Sequence, residues 1–275
     1  MDSDNKYSVL MSVYVKEKAE YLRTAMESIW NQTIPTDDFV LVCDGPLNDE
    51  LDAVIEKMQK EHSMLHIVRL EKNGGLGNAL NIGIKECKNE LVARMDSDDI
   101  SREDRCEKQL SVFYSHPEVS IVSGIVEEFS ISTEIIEARR VLPENQEAIL
   151  NFAKKRNPFN HPCVMYKKTS VEEAGGYQDF SLLEDYYLWI RMLQKGFAGY
   201  NLQEPLLWMR AGSDMYKRRA GRKYAVSQKA LFEYMKETGF ITSGQYVKSV
   251  IVRTGSSVAP NWLRKLVFKT VLRKK

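Results

Sequence analysis

A chain of 275 residues that is 43% hydrophobic can bury a large core, and none of its apolar runs approaches the roughly 20 residues that a membrane-spanning helix needs. The polar start Met1–Lys6 lacks the apolar stretch of a secretory signal, so a cytoplasmic protein is expected. The net charge of +1 conceals a division: residues 1–209 hold 23 Lys and Arg against 35 Asp and Glu, whereas residues 210–275 hold 16 against 3.

The apolar run from Tyr7 to Tyr14 reads as a buried strand, and Tyr21, Leu22, Ala25, Met26 and Ile29 follow at helical spacing. Phe39–Cys43 is a second strand that ends on the turn Asp44-Gly45-Pro46, and Leu51, Val54, Ile55 and Met58 mark a second helix. Leu65–Leu70 is a third strand. The turn Asn73-Gly74-Gly75 then opens a helix carrying Leu76, Leu80 and Ile84. Leu91–Met95 is a fourth strand and runs into Asp96-Ser97-Asp98-Asp99. Four strand–helix alternations in about a hundred residues predict a parallel α/β sheet. Ligands in such sheets bind beyond the carboxyl ends of the strands. The polar clusters from Tyr14 to Glu17, at Asp44, at Asn73 and at Asp96–Asp99 all fall there, which makes them one predicted site.

The second half is less regular. Val119–Val126 reads as a strand, Asn157–Pro162 as a turn-rich loop, and Leu183–Leu193 as a helix with Glu184 and Asp185 in its first turn. Beyond Met209 basic residues take over, with helical stretches near 220–237 and 261–273. The four cysteines, Cys43, Cys87, Cys106 and Cys163, sit among apolar or helical neighbours without metal-ligand spacing, so they are expected as free core thiols.

Carboxylates at i and i+2 after a buried strand can share one divalent cation with a diphosphate, because Mg²⁺ and Mn²⁺ prefer oxygen ligands and keep positions open for phosphate. Asp96 and Asp98 have that spacing, and Asp99 also suits the cap of the following helix. Asp44, at the end of the second strand, can accept the ring N–H of a uracil-like base, or simply serve its turn. Asp185 is placed to take a proton from an acceptor hydroxyl, although acidic residues favour helix starts anyway. Arg210 and Arg219 could hold a leaving diphosphate or be a solvated basic face.

The order of these motifs resembles the family-2 glycosyltransferases with the GT-A fold. The matching residues are Ser8–Tyr14 with Glu17, Asp44-Gly45, Asn73–Gly75 through Gly83, Asp96–Asp99 and Leu183–Trp189. Arg94–Ile100, Asn157–Pro162 and Tyr216–Arg219 look closer still to exopolysaccharide transferases of the amylovoran type. The resemblance implies a mixed, mainly parallel α/β sheet with flanking helices over residues 1–210, followed by a basic helical appendage over 211–275. It implies that Val13, Tyr14, Glu17, Asp44, Asn73, Asp96 and Ser97 hold a nucleoside-diphosphate sugar, with Asp96 at the ribose. Asp98 would hold Mn²⁺ or Mg²⁺, Asp185 would be the general base, and Glu184 and His161 would contact the acceptor. The family commonly has an arginine where this chain has Leu80, and Lys72 or Arg94 could replace that cation.

The implied reaction is inverting transfer to a saccharide linked to a polyprenyl diphosphate, for capsule or exopolysaccharide. Two rivals are a sugar-nucleotide pyrophosphorylase and a non-catalytic scaffold. The first is opposed by a segment after strand one, Val13–Glu17, that has no glycine. The second is opposed by the intact Asp96, Asp98 and Asp185. Residues 261–275 carry six basic residues and no acidic one. As an imperfect amphipathic helix they could lie on an anionic membrane surface with Trp262 at headgroup depth. That puts the protein at the inner face of the cytoplasmic membrane. No nucleic-acid partner is expected, since no stacking platform or known motif accompanies the basic residues.

Overall fold

The structure, a computed structural model, describes residues 6–211 and 222–258. The first half follows the predicted alternation: β1 (Ser8–Val13), α1 (Ala19–Trp30), β2 (Asp38–Cys43), α2 (Asp49–Glu61), β3 (Leu65–Arg69), α3 (Leu76–Glu86) and β4 (Leu91–Asp96). β1 pairs in parallel with both β2 and β4, and β2 pairs in parallel with β3. The second half adds β5 (Ile100–Ser101), α4 (Arg105–Ser115), β6 (Val119–Phe129), β7 (Ala138–Arg140), α5 (Gln146–Ala153), β8 (Met165–Lys167), α6 (Lys168–Glu173), α7 (Glu184–Gln194) and β9 (Ala198–Arg210). Two helices follow, α8 (Arg222–Glu237) and α9 (Ser243–Val258).

Among the described residues the nine strands form one mixed sheet in the order β3-β2-β1-β4-β8-β6-β9-β5, with β7 on β6. Side chains alternate across it. Val9, Met11 and Val13 of β1, with Phe39, Leu41 and Cys43 of β2, face α1, α2 and α4. Leu10, Val40 and Val42 face the other way, toward α3 and α7. The β1 and β2 runs read as continuously apolar because both faces of these strands are covered.

Gly83 shows how closely α3 lies on the sheet. A Cβ there would sit 2.4 Å from Leu10 Cδ1 and 2.6 Å from Val42 Cγ2. Leu80, at the position where the resemblance leads one to expect arginine, is fully buried in this same layer. The basic C-terminal part joins the core as well: Leu231, Phe232 and Met235 of α8 are buried with Trp189 and Ile190. All four cysteines are buried free thiols, as expected.

Three differences from the sequence reading have physical causes. β6 runs three residues beyond Val126 to Phe129, and every residue in it is buried. β9 is a 13-residue strand whose pattern is interrupted by Gly199 and by Gln203-Glu204-Pro205. It pairs in parallel with β6 through irregular register shifts near Gly124 and Ile125, and bulges of that kind erase period-two patterning. α9 was masked in the sequence by Thr254, Gly255 and a serine pair. The expected helix over 261–273 and the Tyr216–Arg219 stretch, including Arg219, lie outside the described residues.

Candidate active site

The carboxyl ends of β1, β2 and β4 open into a cleft of about 1260 Å³ that is also lined by the start of α7, the loop before it and α8. Its floor is built by turns. Asp44 follows β2 and is 5% exposed. Its Oδ1 accepts the Gly74 N–H at 2.7 Å and its Oδ2 accepts that of Gly75 at 3.0 Å. Gly45 has φ +90° and faces the Asn73 backbone so closely that a Cβ would sit 2.6 Å from Asn73 N. Only glycine fits both constraints. The two strand-end turns are therefore sewn together, and each carboxylate oxygen of Asp44 still has a lone pair for a further donor.

The acidic cluster leaves β4. Asp96, Asp98 and Asp99 each offer an oxygen, and these oxygens lie within 4.8 Å of one another. Arg94, 1% exposed, grips Asp96 with both Nη atoms, donating to Oδ2 at 2.9 Å and also to Oδ1. Ser97 Oγ donates to Glu17 Oε2 at 2.8 Å, which ties the loop after β1 to the cluster. Asp99 Oδ1 accepts the Arg210 N–H at 2.8 Å. Asp99 is therefore not the helix cap it resembles in sequence, since α4 begins only at Arg105, after its N-cap Asp104. Burial, then the charges of Asp98 and Asp96, push the Asp99 carboxyl well above the usual carboxylate range. Three crowded carboxyls, one of them buried, suit a hard divalent cation with oxygen ligands.

Asp185, in the first turn of α7, lines the same cleft. Its Oδ2 accepts from Asn157 Nδ2 at 2.6 Å and its Oδ1 accepts the Tyr186 N–H. The helix-start role and the cleft role thus coexist. Glu184 beside it is largely buried, and burial, then the Asp185 charge, raises its carboxyl to about 7. Leu182, at the approach to α7, has φ 69°, the one positive φ of a non-glycine among the described residues. Such strain recurs where a backbone is held for function. His161 also reaches the cleft wall. Its Nε2 lies 2.9 Å from the Tyr177 hydroxyl and its ring packs edge-on to Trp189. Burial, then Arg94, lowers its pKa well below the ordinary value, so it is neutral.

Several expected residues are placed differently. The Val13 side chain is 1% exposed and belongs to the core under β1, so only its main chain can lie near a base. Ser12 and Tyr14 line the cleft there. Lys72 is exposed and not among the lining residues, because the turn it belongs to presents its backbone, rather than its side chain, to Gly45. Arg94 is committed to Asp96. Arg210 does line the cleft, but its guanidinium is stacked 3.8 Å from the Tyr21 ring centroid and donates to the Asp98 carbonyl at 3.0 Å. It shapes the acidic loop. Sequence reasoning missed Asn157, Arg140 and Arg156, all of which line the cleft. Asn157 stood inside a quoted motif, but its partner is 28 residues away in sequence.

A strand-end acidic cluster and a helix-borne carboxylate that line one cleft are the arrangement expected of a GT-A glycosyltransferase. The family profile described as "Glycosyl transferase family 2" matches residues 8–175, and the chain belongs to this family and is a glycosyltransferase. It is 42% identical over 257 residues to the amylovoran biosynthesis glycosyltransferase AmsE of Erwinia amylovora, covering 92% of this chain and 94% of that one. It is 36% identical over 274 residues to the Escherichia coli UDP-Gal:alpha-D-GlcNAc-diphosphoundecaprenol beta-1,3-galactosyltransferase, covering 99% and 98%. Among solved structures, S. aureus TarS in complex with UDP-GlcNAc superposes with TM-score 0.67 at 16% identity, over 97% of this chain and 76% of that one. The mannosyltransferase PcManGT of Pyrobaculum calidifontis, in complex with GDP-Man and Mn²⁺, gives TM-score 0.63 at 14% identity, over 95% and 78%. These two likenesses establish the GT-A fold. The family assignment removes the pyrophosphorylase alternative.

Proposed function

We propose that the chain moves a sugar from a UDP-sugar to a saccharide carried on a lipid diphosphate, with inversion at the anomeric carbon, in polysaccharide assembly. The observation that supports this reading is that Asp185, held by Asn157, lines the same cleft as Asp96, Asp98 and Asp99. Asp185 takes the proton of the acceptor hydroxyl as that oxygen attacks the anomeric carbon. The nucleoside diphosphate leaves from the opposite face, and a single displacement inverts the centre. Burial raises the Glu184 carboxyl to about 7, so near neutral pH a large share of it keeps its proton and can donate a hydrogen bond to the acceptor, while Asp185 is the carboxylate that Asn157 holds at the cleft.

Asp98, with Asp96 and Asp99 beside it, would hold Mn²⁺ or Mg²⁺, which when bound neutralises charge on the departing diphosphate. Asp44 and Tyr14 receive the base, and Glu17, Asn73, Ser97 and Asp96 frame the nucleoside. The lipid-linked acceptor is supported by the similarity to the E. coli galactosyltransferase. Residues 1–210 make the catalytic unit, α8 packs on it and helps to line the cleft, and the part of 211–275 beyond α8 is the segment that meets the membrane surface. Among the described residues no helix is long and apolar enough to cross a membrane. Support for surface association comes from α9, which exposes Val247, Ile251 and Val252 beside Lys248, and from the basic residues 261–275 that follow.

The test is nucleotide release by the purified chain with Mn²⁺, offered UDP-, GDP- and CDP-sugars. Release from one UDP-sugar, enhanced by an acceptor linked through diphosphate to a lipid, is expected. Turnover of a GDP- or CDP-sugar alone would overturn the donor class. For the membrane segment, anionic vesicles should bind the chain at low salt and lose it when residues 261–275 are deleted.

A further inference from the structure

Helix α8 gives the cleft a wall of a different chemistry. Tyr224, Gln228, Leu231 and Phe232 follow one another at helical spacing, so they share one face, and all of them line the cleft. Lys223, Val226, Lys229 and Ala230 are exposed elsewhere on the helix. α8 lies beside α7. The Tyr187 and Tyr234 rings meet at 4.9 Å, and further along both helices Gln194 Nε2 donates to Thr238 Oγ1 at 2.6 Å. Contacts thus advance in the same sequence direction on both, so the two helices run the same way. Their earlier turns lie together at the cleft, with Glu184 and Asp185 on α7 and Tyr224 and Gln228 on α8.

Gln228 is the exception on this face. It is 6% exposed, and its Oε1 is buried with no hydrogen-bond partner among the described residues. Two other amides that line the cleft are tied to site residues: Asn73 Nδ2 donates to the Asp44 carbonyl, and Asn157 Nδ2 donates to Asp185. Asn160 also has an unpartnered Oδ1, but its Nδ2 bonds to the Gly124 and Arg140 carbonyls fix that amide inside the protein at 0% exposure. A buried amide left unpaired destabilises a fold, so a partner from outside the chain is the chemical expectation. The last torsion of a glutamine is broad, and the amide can turn either end to the cleft. Its surroundings select the partner. The α8 wall carries no charge, unlike the acidic cluster at the strand ends, so it suits neither a metal nor a phosphate. An aromatic ring and two apolar side chains beside an amide suit a sugar. The C–H groups of a sugar pack on such surfaces, and its hydroxyls both donate and accept. We infer that Gln228 forms a sugar subsite on α8, in which its amide pairs with a hydroxyl of a saccharide bound in the cleft. This rests on the reading of the cleft as a transferase site. It deepens that reading by assigning sugar recognition to a helix beyond the family profile, which ends at residue 175.

Gln228→Met in the full chain tests this, since methionine has nearly the same length and no amide, and Gln228→Leu serves if that variant does not fold. Two calorimetric arms separate the sources of the hydroxyl. The donor arm compares UDP with UDP-glucose, UDP-galactose and UDP-N-acetylglucosamine in Mn²⁺. The acceptor arm titrates the octyl glycosides of the same three sugars into chain saturated with UDP and Mn²⁺. The sugar that the parent binds best is expected to weaken at least about tenfold in the variant, while UDP itself stays within about twofold. A loss in the donor arm places Gln228 on the transferred sugar, and a loss in the acceptor arm places it on the receiving one. Because the variant removes an unpaired buried amide, its denaturation midpoint in urea should equal or exceed that of the parent. Parent-like affinity in both arms, a parent that binds UDP but none of these sugars, or a variant with a clearly lower midpoint overturns the subsite. Failure of UDP to bind the parent counts against the transferase reading, and the octyl glycosides titrated without nucleotide then decide the subsite.

Discussion

Asn157 Nδ2 donates to Asp185 Oδ2 at 2.6 Å, and this bond fixes the carboxylate in the direction of the cleft. Asp185→Asn keeps the shape but cannot accept a proton. It is expected to bind UDP as the parent does and to lose at least about a hundredfold in kcat. Asn157 acts through Asp185. Asn157→Ala should lower kcat about tenfold or more while donor KM holds, and Asn157→Asp, which sets a second carboxylate against the first, should fall further. Steady-state kinetics with donor and acceptor varied separately would show this, and equal losses in donor KM would mean a purely structural role.

Chelation is expected to abolish transfer, and Mn²⁺ or Mg²⁺ to restore it. Asp98→Asn should lose the metal-dependent part of UDP binding without unfolding, because its neighbours Asp96 and Asp99 are held by Arg94 and the Arg210 backbone. Calorimetry of UDP with and without Mn²⁺ reads this directly. Full turnover in EDTA would refute it.

Glu184 carries a pH signature. Its folded carboxyl titrates near 7 instead of near 4.5, so between those values the folded chain keeps a proton that the unfolded chain has lost. Stability contributed by this group is therefore highest below about pH 4.5 and falls as pH rises through 7. Glu184→Gln should remove that decline. Urea denaturation at pH 5, 6, 7 and 8 is expected to show a variant whose midpoint changes less with pH and exceeds the parent at pH 8.

Base preference tests Asp44. Its oxygens already accept from Gly74 and Gly75, and the lone pairs that remain accept from a ring N–H, which uracil offers and cytosine lacks at that position. UDP should bind more tightly than CDP in parallel titrations. The reverse order would remove the proposed contact.

Gly83→Ala sets two effects against each other. Alanine favours a helix interior by about 1 kcal/mol, but its Cβ would overlap Leu10 and Val42 side chains buried in the sheet face. Overpacking costs about 1–3 kcal/mol, so a net loss of stability is expected by denaturant titration.

The first half of this fold was legible because each strand is short, apolar and closed by a turn, and each helix shows its face. The acidic loop and Asp44 were legible for a related reason: in a parallel sheet the strand end is itself the address of the site. Arg140, Arg156 and Asn157 were not legible, since their roles depend on partners from β7, α5 and α7 brought together only by folding. Val13 was assigned by motif position, which does not say which way a side chain points, and Lys72 was offered beside Arg94 only as a substitute for the arginine missing at Leu80. The sequence around β9 hid a long strand because its bulges break the alternation by which strands are recognised.

The contact between Asp99 and the Arg210 N–H spans 111 residues, and among the described residues β5 pairs with β9 alone. A ribosome makes the acidic loop early and its support late. While the chain is growing, the four parallel strands can assemble, but the loop after β4 has no strand to rest on until residue 210 has emerged. The nascent protein thus has its parallel sheet before it has a finished acidic loop, and the site is complete only once β9 has been made.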